Sequence, residues 1–320
     1  MSFNRLPKGS IVLVTGFTGF IGVSIHSAIT GLLLQKGYRV RGVTRNTAKA
    51  ELHKKHFESL FGPGSLEIVE VPNYAAPGVF VAAVKGMSSF SYAAFPESLT
   101  GRYHEDMIAA VVAGTTAILK AAATEASVKS VVTTASRITA FVTEYGKEAV
   151  ASHDTFTDFF IPLAKNTTDD NPLKPIFKYA ASKVAGEMAA WDYWKETEPS
   201  YAFNVVIPDH TAGPLLTTVP GDYSSHDWLN DLFLGNPNSY SVPFMNPRVS
   251  LEIYHADEVL KIWRDAYPDR KILPDFGFPP APHITIDSSK STKLIWDLEG
   301  RDWYTLQDIV LGNVKRVARD

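Results

Sequence analysis

Ile11-Val-Leu-Val-Thr-Gly-Phe-Thr-Gly-Phe-Ile-Gly22 is the stretch that decides the fold. Its first five residues are apolar or β-branched, which predicts a short buried strand ended by Gly16. Glycines at 16, 19 and 22 let the chain turn tightly, let a pyrophosphate approach the backbone, and let helix and strand pack closely. Residues 20–36 have helical length and stop before Gly37, a plausible C-cap. The start of that helix offers unpaired N–H donors and a positive dipole to phosphate. A glycine-rich turn without a ligand is the competing reading. The strand before it and the helix after it favour nucleotide binding.

Working outward, residues 38–43, 66–71, 89–93, 129–134 and 202–207 read as further strands, and 107–126 and 177–196 as helices. Strands alternating with helices predict an α/β fold, a doubly wound parallel sheet with helices on both faces and right-handed crossovers. The pattern loosens after Pro208. Residues 209–247 carry Gly, Pro, Asn and aromatics without a clear period, and two helices close the chain near 289–298 and 306–317. A nucleotide-binding core over 1–208 and a smaller substrate lobe mainly from 209–320 are expected, with chain returns to the core.

The 31 Lys+Arg against 34 Asp+Glu leave a formal charge of −3, which gives no electrostatic reason to expect nucleic acid or an anionic membrane as partner. No apolar run reaches the ~20 residues that span a bilayer, and the first ten residues lack a secretory h-region. Cysteine is absent, which excludes disulfides, thiolate metal sites and cysteine nucleophiles. The nine histidines show no metal-binding arrangement. His53 and His56 lie three apart on a Lys-rich helix and read as a solvated face. A cytoplasmic protein fits these features.

The chemistry gathers at three places. The second strand ends Val40-Arg-Gly-Val-Thr-Arg45, with no acid to bond a ribose 2′-hydroxyl. Arg45, with Lys49 one helical turn on, suits a 2′-phosphate, and Arg41 is a second contributor in reserve. The cofactor expected is therefore NADPH/NADP+. Tyr179-Ala-Ala-Ser-Lys183 puts a phenol and an ammonium on one helical face. A nearby ammonium can bring a phenol down by ~1–3 units, making Tyr179 a usable general acid. Thr133-Thr-Ala-Ser136 ends the fifth strand, on the edge where open α/β sheets bind ligands. Ser136 is the expected partner of a carbonyl oxygen, with Thr134 as the alternative.

Thr15-Gly-x-x-Gly-x-x-Gly22, Ser136 and Tyr179-x-x-x-Lys183 together resemble the extended short-chain dehydrogenase/reductase superfamily, whose core is Rossmann-type. Within it the chain resembles the dihydroflavonol-reductase branch, which includes fungal and yeast NADPH-dependent aldehyde, ketone and methylglyoxal reductases. The likeness also runs through Val40–Arg45, Gly114–Leu119, Pro208-Asp-His-Thr-Ala-Gly-Pro214 and Tyr254–Val259. It implies Ser136, Tyr179 and Lys183 as the catalytic triad, with Lys183 also bonding the nicotinamide ribose. Cofactor contacts are expected at Gly16, Thr18, Gly19, Phe20, Ile21 and Gly22 of the turn. Others are expected at Arg45 and Lys49, at Asn73 and Tyr74 near the adenine, and at Ala93, Ala94 and Phe95 after the fourth strand. Thr134, Pro208 and Thr211 complete the set. The chain departs from the branch at Asn73, where Asp is usual, and at Tyr92-Ala-Ala-Phe-Pro96, where a His-x-Ala-Ser/Thr-Pro pattern is usual.

The expected function is NADPH-dependent reduction of an aldehyde or ketone, with Tyr179 as general acid. A nucleotide-sugar epimerase or dehydratase shares the core, but Ser136 is followed by Arg137-Ile-Thr139 rather than by an acid pair. A non-enzymatic NADP(H)-sensing regulator would commonly lose the Tyr–Lys pair, which this chain keeps. The substrate is expected to be a small, mostly apolar or aromatic carbonyl compound. It would be bordered by Phe141, Phe156, Phe159 and Phe160 and by Trp228, Phe233, Tyr240 and Phe244, unless these form core. Helices 103–126 and 176–198 carry more apolar surface than one face needs, including Trp191 and Trp194. That suggests a homodimer, unless the sheet and later lobe cover them.

Overall fold

A computed structural model describes residues 6–19, 29–94, 107–142, 149–151, 155–209, 211–213, 225–236, 256–277 and 284–318. Its main sheet has six parallel strands: β1 (Ile11–Thr15), β2 (Arg39–Thr44), β3 (Leu66–Glu70), β4 (Ser89–Tyr92), β5 (Ser130–Thr134) and β7 (Ala202–Val206). Their order is β3-β2-β1-β4-β5-β7. This is the doubly wound order, and chain direction across the sheet reverses between β1 and β4, where such folds bind dinucleotides. Thr15 is in register with Tyr92, Tyr92 with Thr133, and Thr134 with Val206. The carboxyl ends therefore form one edge, and nearly every residue expected to act follows one of them.

Period-2 alternation sorts β1 between two cores. Val12 and Val14 pack with Phe17, Leu34, Val40, Ala50, Phe57 and Leu66, beneath α1 (Ile29–Gln35) and α2 (Thr47–Phe61). Leu13 points the other way, into a cluster with Phe90, Tyr92, Ile118, Leu119, Val131 and Phe203. That face is covered by α3 (Met107–Ala123) and α5 (Lys174–Thr197), which pack on each other. Trp191 sits edge-on to Phe203 at 4.6 Å, and Trp194 Nε1 donates to Tyr201 O at 3.3 Å. Both tryptophans thus have partners within the chain. α4 (Phe160–Asn166) lies against α5. Local signals agree with these elements: Asn46 caps α2 by accepting from Lys49 N–H, and a proline opens α5.

Two glycines are needed for geometry. Gly16 has φ +69, and a Cβ there would lie 3.0 Å from the Ala94 backbone. At Gly42 a Cβ would come within 2.6 Å of the Phe17 ring, so the fully buried Phe17 lies flat over the β2 backbone.

The chain divides into two compact units. The first holds the sheet and its helices, over Met1–Thr139, Thr157–Ile207 and Leu216–Gly221. The second comprises Ala140–Phe156, Pro208–Leu215 and Asp222–Asp320. It contains a two-stranded parallel ribbon, β6 (Ala149–Ala151) with β8 (Ile284–Ile286), and the helices α6 (Ser225–Phe233), α7 (Ala256–Ala266), α8 (Ser289–Glu299) and α9 (Leu306–Val314). Its core is built from Leu229, Leu232, Phe233, Val259, Leu260, Trp263, Val310 and Val314. Phe233, expected beside the substrate, is fully buried there against Trp263 and Tyr267, with the Arg270 guanidinium 4.4 Å from its ring centre. An aromatic in a helix with a polar partner stripe goes to the core, and this one does.

Candidate active site

The turn after β1 is clamped by its own first residue. Thr15 is fully buried, and its Oγ1 accepts from both Ala93 and Ala94 N–H, each at 3.2 Å. These amides tie the ends of β1 and β4 together across the point where the winding reverses. Gly19 N–H closes the turn on Gly16 O at 2.9 Å, and Thr18 stays half-exposed at its crest. The turn presents glycine backbone at the sheet's ligand edge, which fits a dinucleotide pyrophosphate. Phe20, Ile21, Gly22 and Phe95 lie outside the described residues, as do Tyr240 and Phe244.

At the end of β2, Arg45 is exposed, with its guanidinium carbon 5.9 Å from the Tyr74 ring centre. Lys49 is half-exposed in the first turn of α2. Tyr74 is itself held by donating to Val43 O at 3.1 Å and by edge-on packing with Phe80. Burial pushes its phenol up to about 12, with Arg45 pulling the other way. An exposed guanidinium beside an aromatic ring, with a lysine in the next helical turn, suits a phosphate and an adenine. Arg41 has a different role. Its Nε pairs with Glu67 at 2.9 Å, and its Nη1 donates to Ala83 O and Lys85 O. That bonding ties β2 to its neighbours. The Asn73 side chain accepts from Ala75 N–H at 3.0 Å and so shapes a local turn.

The third place is built on β5 and α5. Ser136 follows β5 by two residues, at the head of a 3₁₀ turn, Arg137–Thr139. Its side chain lies beside the Tyr179 phenol and favours the ionised form. Lys183, one turn further along α5, directs Nζ at Thr134 O at 3.5 Å and lies 6.0 Å from the Tyr179 ring centre. Thr134 thus meets the site through its carbonyl. The three residues expected to act together are brought together. The titration differs from expectation. Tyr179 is raised, because burial outweighs the effect of Ser136. Lys183 is lowered to about 8 by its own burial, with Glu187 opposing. Lys183 loses its proton near about 8, before Tyr179 does, so at neutral pH the ammonium is kept and Tyr179 stays protonated.

Two neighbours of this site were not anticipated. Glu187 is buried one turn beyond Lys183, beside Thr139 and Trp191, and burial raises its carboxyl. Thr139 in turn fixes Ser136: its N–H and Oγ1 both reach Ser136 O at 2.8 Å. The spacing Tyr179, Lys183, Glu187 was a legible signal, since every fourth residue returns to one helical stripe.

In the second unit, Thr211 Oγ1 donates to Asp209 O at 3.3 Å beside Pro208. The same loop is pinned at Gly213, whose N–H donates to Asn313 Oδ1 and whose carbonyl lies 3.0 Å from His226 Nδ1. His226 and Asn313 are buried, and Asn230 completes their network. In the first unit Phe159 is exposed while Phe160 is buried against Phe177. Among the described residues no His/Asp/Glu cluster could hold a metal ion, and no helix is long and apolar enough to cross a membrane.

The glycine turn, the Ser136–Tyr179–Lys183 group and the strand order fall within one family match, the NAD dependent epimerase/dehydratase family, over residues 12–228. The chain belongs to that family. The resemblance to extended short-chain dehydrogenases/reductases is borne out, and membership makes the chain an enzyme of that nicotinamide-dependent type. Aldehyde reductase 2 of Sporidiobolus salmonicolor is 27% identical to the chain over 333 residues, covering 95% of each. A Penicillium rubens ketoreductase, adrE, is 28% identical over 341 residues and 97% of each chain. The Aspergillus terreus NAD-dependent epimerase/dehydratase terH is 32% identical over 73% of this chain and 67% of its own. In fold, the chain is similar to yeast methylglyoxal/isovaleraldehyde reductase complexed with NADPH, with TM-score 0.72, 21% identity, and 97% and 98% coverage.

Proposed function

We propose that the chain is an NADPH-dependent carbonyl reductase, turning an aldehyde or ketone into an alcohol. The observation that carries this is Ser136 beside the Tyr179 phenol with Lys183 one turn away, at the carboxyl edge of the sheet. When bound, the reduced nicotinamide supplies the hydride. Gly16, Thr18 and Gly19 would hold the diphosphate, Arg45 and Lys49 the 2′-phosphate, and Tyr74 the adenine side. Ser136 donates to the substrate carbonyl oxygen and fixes it beside the phenol. Tyr179, protonated because it is buried, gives its proton to that oxygen as negative charge develops there. The Lys183 ammonium, oriented by Thr134 O, stabilises the phenolate that remains until that phenolate takes up a proton from solvent. Thr139, through Ser136 O, keeps the 3₁₀ turn and its serine in place.

The relatives' names support this reading, since an aldehyde reductase and ketoreductases match over nearly the full length. A dehydratase or epimerase on a nucleotide-sugar is disfavoured, because the residues after Ser136 are Arg137, Ile138 and Thr139, with no carboxylate. The substrate we infer is a small, mostly apolar or aromatic carbonyl compound. Small-molecule sites are mainly apolar with a few polar anchors, and Ser136 and Tyr179 already supply the anchors. Competition between matched aryl, alkyl, polyanionic and nucleotide-sugar carbonyls at saturating NADPH tests this. Preference for either of the last two refutes it.

A further inference from the structure

Tyr179, Lys183 and Glu187 form one stripe on α5, and the proposed function uses only the first two. The Glu187 carboxyl is in an unusual position for its chemistry. The residue is 8% exposed, and Oε2 finds no hydrogen-bond partner among the described residues. Trp191 and Thr139 lie beside the carboxyl, but the Thr139 hydroxyl is already directed at Ser136 O. Burying a carboxylate with so few donors is costly, and glutamine or leucine would fill the space with less penalty. Packing alone therefore does not account for an acid here. An ionised carboxyl has a use within one helical turn.

Building on the reductase reading, we propose that the Glu187 carboxylate is the counter-charge that holds Lys183 as an ammonium beside Tyr179. Glu187 is then a positioning residue, acting through Lys183. Among the described residues, the elements packed against α5 carry cations: Lys120 on α3, Lys165 on α4 and Arg137 on the 3₁₀ turn. On α5 itself the other titratable groups are Lys174, Lys178, Tyr179, Asp192, Tyr193, Lys195 and Glu196. Of all these, the charge that acts on Lys183 is that of Glu187. Burial drives Lys183 toward neutrality, and the carboxylate limits the fall to about 8. Without it, Lys183 would be largely neutral at physiological pH, and the phenolate left after proton donation would lose its partner.

The test reads Lys183 directly. The full chain, without cofactor, is acylated competitively across a pH series, and the Lys183 peptide is quantified by mass spectrometry. The wild-type midpoint is expected near about 8. In Glu187→Gln it should fall by ~1 pH unit. Glu187→Leu, which needs no donor, removes the same charge if the glutamine variant does not fold, and should shift the midpoint likewise. Glu187→Asp keeps the charge and should return the midpoint most of the way. The alkaline limb of kcat for ketone reduction should move with the midpoint, while KM changes little. A midpoint unmoved in the foldable neutral variant, or no higher in Glu187→Asp than in Glu187→Gln, overturns the proposal. Labelling needs no turnover, so a chain that reduces no ketone refutes the reductase reading and leaves this result to stand by itself.

Discussion

His53 gives the sharpest stability prediction. It lies on α2 with its ring fully buried, edge-on to Phe17 at 6.5 Å, and neither ring nitrogen has a hydrogen-bond partner among the described residues. Burial first, then the charges of Lys49 and His56, lower it from 6.5 to about 4. The unfolded chain therefore takes up this proton more readily than the folded one. Stability from the neutral ring is fully present above pH 6.5 and is lost as pH falls toward about 4. A gap of roughly 2.5 units at ~1.4 kcal/mol per unit is ~3 kcal/mol, undiminished by solvent because the ring is buried. His53→Leu removes the titration and the two unpaired nitrogens, which themselves cost ~1–3 kcal/mol. The variant should match or exceed wild type near neutral pH. Urea melts followed by circular dichroism at a series of pH values between about 7 and 4 give the difference in unfolding free energy. That difference should grow in the variant's favour by ~3 kcal/mol across the series. Carboxylate titrations, common to both chains, cancel. A difference that stays constant with pH refutes the reasoning.

Two further substitutions test the cofactor edge. Arg45→Asp should reverse or strongly narrow the preference for NADPH over NADH, read from the ratio of kcat/KM values; equal use of both cofactors by the wild type would contradict the assignment of Arg45. Gly42→Ala puts a methyl within 2.6 Å of the Phe17 ring, so the ring must shift at the base of the glycine turn. Overpacking of this kind costs ~1–3 kcal/mol, and a melt unchanged from wild type would show that Phe17 is not confined there.

The sheet was legible because each strand carries a β-branched or alternating apolar run, and each run ends where a chemically distinctive residue begins. Ile11–Thr15 followed by glycines and Val40–Thr44 followed by Arg45 are examples in which strand, breaker and ligand group are contiguous. Tyr179 and Lys183 were legible for a related reason, since helical periodicity fixes their shared face from spacing alone. His53 was misread because its residue type suggested solvent, although Ala50, His53 and Phe57 fall on one helical stripe that the sheet covers. Ala149–Ala151 and Ile284–Ile286 were not anticipated as strands. Three residues are too few to show a period, and their pairing is a contact between segments far apart in sequence. α6 was hidden by His226, Asp227, Asn230 and Asp231, polar groups among which His226 is buried through partners on another helix. The Tyr179 titration could not be read from spacing either. Spacing brings Lys183 near, whereas the depth of burial decides which of the two groups is shifted more, and in which direction.

The account stands most directly on Tyr179. The measurement is the rate of NADPH absorbance loss with a panel of aryl and alkyl ketones and aldehydes, for wild type and Tyr179→Phe, alongside NADPH binding and a thermal melt of each. The wild type should reduce at least one such carbonyl. The variant should bind NADPH and melt as the wild type does, yet turn over ~10²–10⁴-fold more slowly, the range a positioned general acid contributes. Near-normal reduction by Tyr179→Phe would contradict the account.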